Sequence, residues 1–110
     1  MGGIMGRNML KLIEQHQGQI AALCRRHQVK RLELFGSAAR GDFDPEKSDL
    51  DFFVEFLSYD SPRIADQWFG LQEDLEELLG WKVELTSLRT SKNPYFLQRA
   101  NQHKVALYAA

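Results

Sequence analysis

The stretch from Arg31 to Val54 constrains the fold of this chain more than any other part of it. Arg31-Leu-Glu-Leu-Phe35 alternates and stops at Gly36, which predicts a strand. Ser37-Ala-Ala-Arg40 followed by Gly41 predicts a single helical turn, with Ser37 at its N-cap and Gly41 at its exit. Asp42 to Ser48 is a polar connection containing Pro45, and Leu50 to Phe56 predicts a second strand. Side chains alternate across a strand, so Asp49 and Asp51 share one face while Leu50, Phe52 and Val54 turn to the other, into a core.

The flanks extend this pattern into a layered domain. Leu10, Ile13, Gln17, Ile20, Cys24 and His27 recur at three- and four-residue steps and predict one helix over about residues 8–27. Ser61-Pro62 is a helix start, Ile64, Trp68, Leu71, Leu75 and Leu78 follow at helical spacing, and Gly80 ends the run. Trp81 to Thr86 predicts a third strand, Tyr95 to Gln102 a short helix begun by Asn93-Pro94, and Lys104 to Tyr108 an edge strand. The order is that of an α/β (α+β) fold, a small mixed sheet with helices packed against it. With 110 residues we expect a single domain over 1–110, residues 1–7 forming a loose N-terminus.

Composition narrows the class. No apolar run is long enough to span a bilayer and no secretory h-region opens the chain, so a cytoplasmic location is expected. Cys24 is the one cysteine, which excludes a disulfide framework, and its place on the apolar face of the first helix predicts a buried, inert thiol. The net charge of −1 hides an uneven distribution: residues 41–80 hold twelve acids and two bases, while both flanks are basic. Such a middle is a poor surface for a nucleic-acid backbone, so nucleic acid is not expected as a direct ligand. It suits divalent cations or a basic protein partner, although Glu73, Asp74, Glu76 and Glu77 read first as a solvated helix face.

The chemistry concentrates in the same opening stretch. Two carboxylates on one strand face, with Lys47 as the one nearby base, repel unless a cation lies between them. Hard oxygen donors of this kind suit Mg²⁺, which takes one or two carboxylates plus substrate phosphates. In Lys82-Val-Glu-Leu-Thr86, Glu84 faces away from Val83 and Leu85, and joins the aspartates if the third strand lies beside the second. Three carboxylates could then hold two metals. A glycine where strand meets helical turn lets backbone approach a phosphate, and the Ser37 hydroxyl and Arg40 are donors for anionic oxygens. Residues 36–41 match half of a P-loop, but Asp42-Phe43 stands where Lys-Ser/Thr should follow. An EF-hand beginning at Asp42 fails too, with Lys47 at the glycine position and Phe53 at the bidentate glutamate.

Strand, Gly36-Ser37, a polar link, Asp49-Leu-Asp51 on a strand and a later acid on a strand together resemble the nucleotidyltransferase superfamily that includes DNA polymerase β. Here eleven residues separate Ser37 from Asp49, one more than the usual form. Phe35-Gly-Ser-Ala-Ala-Arg-Gly41 and Ser48-Asp-Leu-Asp-Phe-Phe-Val-Glu55 are most similar to the minimal nucleotidyltransferases, the MntA-type antitoxins paired with HEPN-domain ribonuclease toxins. The resemblance implies the polymerase β-like fold, with Gly36, Ser37 and Arg40 binding the phosphates of ATP. It implies that Asp49, Asp51 and Glu84 are catalytic and bind two Mg²⁺ ions, Glu84 standing where relatives usually carry Asp. It further implies that AMP passes to a tyrosine hydroxyl of a HEPN toxin, in an assembly whose homo- or hetero-oligomeric state stays open.

Two other functions fit the same residues. The chain could be an antitoxin that blocks its partner sterically, or a small-molecule nucleotidyltransferase, although 110 residues leave no room for an added substrate-binding domain. His16, His27 and His103 lack ligand spacing and read as packing or surface histidines. Trp68, Phe69 and Trp81 read as core, as do Tyr95 and Tyr108, and Glu33 as an exposed or hydrogen-bonded acid.

Overall fold

The computed structural model describes residues 6–87 and 104–110. Two helices open the chain, α1 (Gly6–Gln15) and α2 (Gln17–Arg26), where the periodicity predicts one. The break is at His16. In a continuous helix its N–H would donate to the Leu12 carbonyl. Instead the His16 Nδ1 takes that carbonyl at 2.8 Å, and the N–H shifts to Ile13 O at 3.0 Å. The apolar stripe survives the break, because Met9, Ile13, Ile20 and Cys24 are all fully buried. Gln17, counted on that stripe from its spacing, is exposed.

Strand β1 (Val29–Phe35) runs into the short α3 (Gly36–Arg40), β2 (Leu50–Phe56) returns antiparallel to β1, and α4 (Ile64–Leu79) leads to β3 (Val83–Ser87). With β4 (Val105–Ala109) the described strands form one mixed sheet in the order β3-β2-β1-β4, in which β2 and β3 are parallel and the other pairs antiparallel. This is the α/β architecture expected. Lys104 to Tyr108 was expected as an edge strand, and β4 lies at one end of the sheet beside β1. The expected helix over Tyr95 to Gln102 lies outside the described residues, as does His103. No helix among the described residues is long and apolar enough to cross a membrane.

Leu32 and Leu34 of β1, Leu50, Phe52 and Val54 of β2, and Leu71, Leu75 and Leu79 of α4 meet in one buried cluster with the α1–α2 stripe. Each such side chain removed from water contributes about 1.5–3 kcal/mol, so this cluster decides which face of the sheet is inward. Cys24 sits within it, and burial pushes its thiol up to about 12. The inert thiol expected from the sequence is what the fold produces.

Element ends follow local chemistry. Gly41 and Gly80 close α3 and α4 in the left-handed conformation, as their positions predict. Ser37 is not the N-cap of α3. Phe35 holds that position, and the Ser37 carbonyl instead accepts the N–H groups of Gly41 and Asp42, each at 3.0 Å. Ser61 organises a turn just ahead of α4, its Oγ accepting the Arg63 N–H at 3.1 Å, so the helix starts slightly later than Ser61-Pro62 suggests. Phe69, expected in the core, is 59% exposed, because α4 buries the Leu71–Leu75–Leu79 stripe and Phe69 falls outside it.

Candidate active site

The register of three strands sets the site. Phe35, the last residue of β1, pairs with Asp51 of β2, and Asp51 pairs with Glu84 of β3. Neighbouring strands lie about 4.8 Å apart, so Glu84, Asp51 and the β1–α3 corner form a row across one end of the sheet. Asp49 precedes β2 by one residue and shares the face of Asp51.

Gly36 is bound to this arrangement by sterics. Its φ is +76°, a conformation that L side chains rarely adopt, and a Cβ built on it would collide with Asp51 Oδ2. The same Cβ would lie 3.2 Å from both Cβ and Cγ of Asp51. The backbone corner therefore rests directly against the central carboxylate. Ser37 follows on the first turn of α3, which Ala38 anchors in the core.

The electrostatics report the same convergence. Asp51 ordinarily titrates near 3.8 and is here pushed up to about 6, first by burial, then by the negative charge of Glu84 and of Asp49, with Arg40 opposing. Of the six residues singled out from the sequence, Gly36, Arg40, Asp49 and Glu84 thus act on or touch the carboxyl group of a fifth, Asp51, and Ser37 adjoins them. Arg40 also pairs with Asp42, its Nε 3.5 Å from Oδ2, and both remain largely exposed. Among the described residues no three His, Cys, Asp or Glu side chains converge as a ready-made cage for one ion. The donor set nevertheless fits Mg²⁺. It consists of hard carboxylate oxygens, and Asp51 is held up by burial and by two neighbouring acids that Arg40 only partly offsets.

Helix α4 grips the backbone beside Glu84. The Val83 N–H, one residue before Glu84, donates to Glu76 Oε2 at 2.9 Å, and the Val83 carbonyl accepts from Gln72 Nε2 at 2.9 Å. On the other side Leu50 N donates to Lys82 O at 2.9 Å. The acids read from the sequence as a solvated helix face are thus divided in use. Glu76 caps β3, and Asp74 receives His27 Nε2 at 2.6 Å, tying α4 to α2.

Sequence reasoning missed the backing of the site. Phe35 and Phe53 lie on the acidic face of the sheet yet are 7% and 0% exposed, and their rings stack with centroids 4.0 Å apart. Glu33, two residues before Phe35 on the same face, is buried with Lys104 Nζ 3.5 Å from its Oε1, rather than exposed. The available signal was two aromatics at alternate positions among charged residues, which marks a face only half open to water.

Comparison with known proteins adds to this geometry. The family model of the nucleotidyltransferase domain matches residues 17–108. A protein of Methanocaldococcus jannaschii named "putative protein adenylyltransferase" is 41% identical over 70 residues, which cover 64% of this chain and 68% of that protein. A solved structure described as a "putative minimal nucleotidyltransferase" superposes with a TM-score of 0.70 at 30% identity, covering 87% of this chain and 93% of the other. The structure of a tri-AMPylated Shewanella oneidensis HEPN toxin in complex with an MNT antitoxin matches with a TM-score of 0.60 at 19% identity, over 88% of this chain and 72% of the other, and shares the fold.

Proposed function

The chain belongs to the nucleotidyltransferase domain family, and from that premise we propose that it moves AMP from ATP to a tyrosine hydroxyl of a partner protein. The partner is a HEPN-type ribonuclease toxin, which the modification silences, so the chain acts as its antitoxin. The observation that carries this reading is the corner formed by Gly36 against Asp51, with Glu84 opposite in register. A backbone corner able to take a polyanion, next to acids that Arg40 only partly offsets, supports this reading.

Each residue then has a task. The backbone at Gly36, which carries no side chain of its own, and the Ser37 hydroxyl receive the triphosphate oxygens. Arg40, paired with Asp42 yet largely exposed, adds positive charge where pyrophosphate leaves. Asp49, Asp51 and Glu84 would hold two Mg²⁺ ions, which when bound polarise the α-phosphate and neutralise the leaving pyrophosphate. The acceptor oxygen forms a bond to the α-phosphorus, the bond from that phosphorus to pyrophosphate breaks, and Glu84, the exposed acid of the trio, accepts the hydroxyl proton.

Incubation with a HEPN partner, ATP and Mg²⁺ tests the reading. Intact mass spectrometry should show whole AMP increments on the partner, and tryptic peptides should place them on tyrosine. Asp49→Asn with Asp51→Asn should remove them. If toxin neutralisation in cells survives both substitutions, the chain works by steric binding, and the catalytic reading is wrong.

A further inference from the structure

We infer that Glu76 and Gln72 of α4 are positioning residues for Glu84, and that their grip on Val83 sets the rate of nucleotidyl transfer rather than ATP binding. The inference rests on the reading of Glu84 as one of the three working acids. Val83 lies on the outer edge of β3, the end of the described sheet. Lys82 O faces β2, where it accepts from Leu50 N, so by alternation the N–H and C=O of Val83 face outward, where no described strand pairs with them. Glu76 and Gln72 supply the missing ladder partners. They stand four residues apart, one turn of α4, with carboxylate meeting N–H and amide NH₂ meeting C=O, both at 2.9 Å.

The polarity of that pair makes it specific. A carboxylate can only accept and the Gln72 nitrogen can only donate, so each serves one of the two Val83 groups and cannot exchange roles. Glu84 is covalently next in the chain and pairs with Asp51. A slip of β3 by one residue would turn Glu84 to the opposite face and bring Val83 or Leu85 beside Asp51. The clasp opposes that slip at the one backbone unit adjoining the acid. The hydrogen bond to Glu76 is charge-assisted and the stronger of the two.

Substitutions at both ends test this on the full chain. Glu76→Leu removes the acceptor, Gln72→Glu faces the Val83 carbonyl with a second acceptor, and Glu76→Gln keeps an acceptor oxygen. Exposed Glu77→Leu on the same helix is the control. Well below each variant's melting temperature, Glu76→Leu and Gln72→Glu should lower kcat by roughly ten- to a hundredfold with KM for ATP unchanged, as expected for misplacement by about 1 Å. Glu76→Gln should restore most of kcat. A purely structural role would lower the folded fraction and leave kcat per folded molecule intact, which would overturn the inference, as would equal kcat in Glu76→Gln and Glu76→Leu. Amide exchange of Val83, read without partner or nucleotide, separates this from the reading of function. It should quicken by about tenfold in Glu76→Leu and not in Glu76→Gln. Unchanged exchange in Glu76→Leu overturns the clasp even where wild-type transfer is normal, whereas quickened exchange in a wild-type chain that transfers nothing upholds the clasp and overturns the transfer reading.

Discussion

Replacing Asp51 by Asn should make the metal-free protein more stable. The carboxyl ordinarily titrates near 3.8 and is pushed up to about 6 by burial, Glu84 and Asp49. The folded chain therefore binds a proton more tightly than the unfolded chain at this site. Stability from the group is greatest below the ordinary value, falls as pH rises through about 4 to 6, and the full cost of the charge is present at pH 7.5. Roughly two pH units at about 1.4 kcal/mol each give about 3 kcal/mol as an upper figure. The carboxyl is partly open to water, and screening reduces that to about 1–2 kcal/mol. For a domain of this size such a gain raises the melting temperature by about 4–8 °C. Calorimetry in the presence of chelator at pH 7.5 and pH 4.5 reads the effect: Asp51→Asn should melt higher at the first pH, with the gap shrinking to roughly a third at the second. Millimolar Mg²⁺ should narrow the gap at pH 7.5 by stabilising wild type alone. If the variant is less stable at pH 7.5, or the gap is the same at both pH values, burial and the neighbouring acids do not penalise the Asp51 charge.

Other outcomes follow from the same geometry. Gly36→Ala should destabilise the fold by about 1–3 kcal/mol, because the new Cβ meets Asp51 at a strained φ, and chemical denaturation would measure it. Mg²⁺ with ATP should raise the melting temperature of wild type by about 3 kcal/mol equivalent at a hundredfold excess over Kd, and Asp49→Asn with Asp51→Asn should lose that shift in differential scanning fluorimetry. Cys24 should resist iodoacetamide in the native protein at pH 8 and react on unfolding, since its thiol is buried and pushed up to about 12; rapid native labelling would contradict the packing of α2.

Local chemistry made much of this legible in advance. β2 begins and ends where its alternation predicts, at Leu50 and Phe56, because one face is apolar throughout. The left-handed ends at Gly41 and Gly80 follow from residue type alone. Even the meeting of Asp51 with Glu84 could be anticipated, given a third strand beside the second. What escaped depends on orientation in space. The break at His16 needs an imidazole turned back onto the Leu12 carbonyl, a choice no periodicity encodes. Phe35 and Phe53 sit among charged neighbours, so their spacing gives the face but not its burial. Glu76 looks like any acid in an acidic helix until β3 arrives beside it and offers an unpaired N–H.

The parallel pairing of β2 with β3 also has a temporal meaning. Gly36, Asp49 and Asp51 belong to one antiparallel hairpin and leave the ribosome close together, whereas Glu84 joins them only after all of α4 has emerged and crossed over. A nascent chain can display two of its three acids early, but the full set exists only once the crossover has closed.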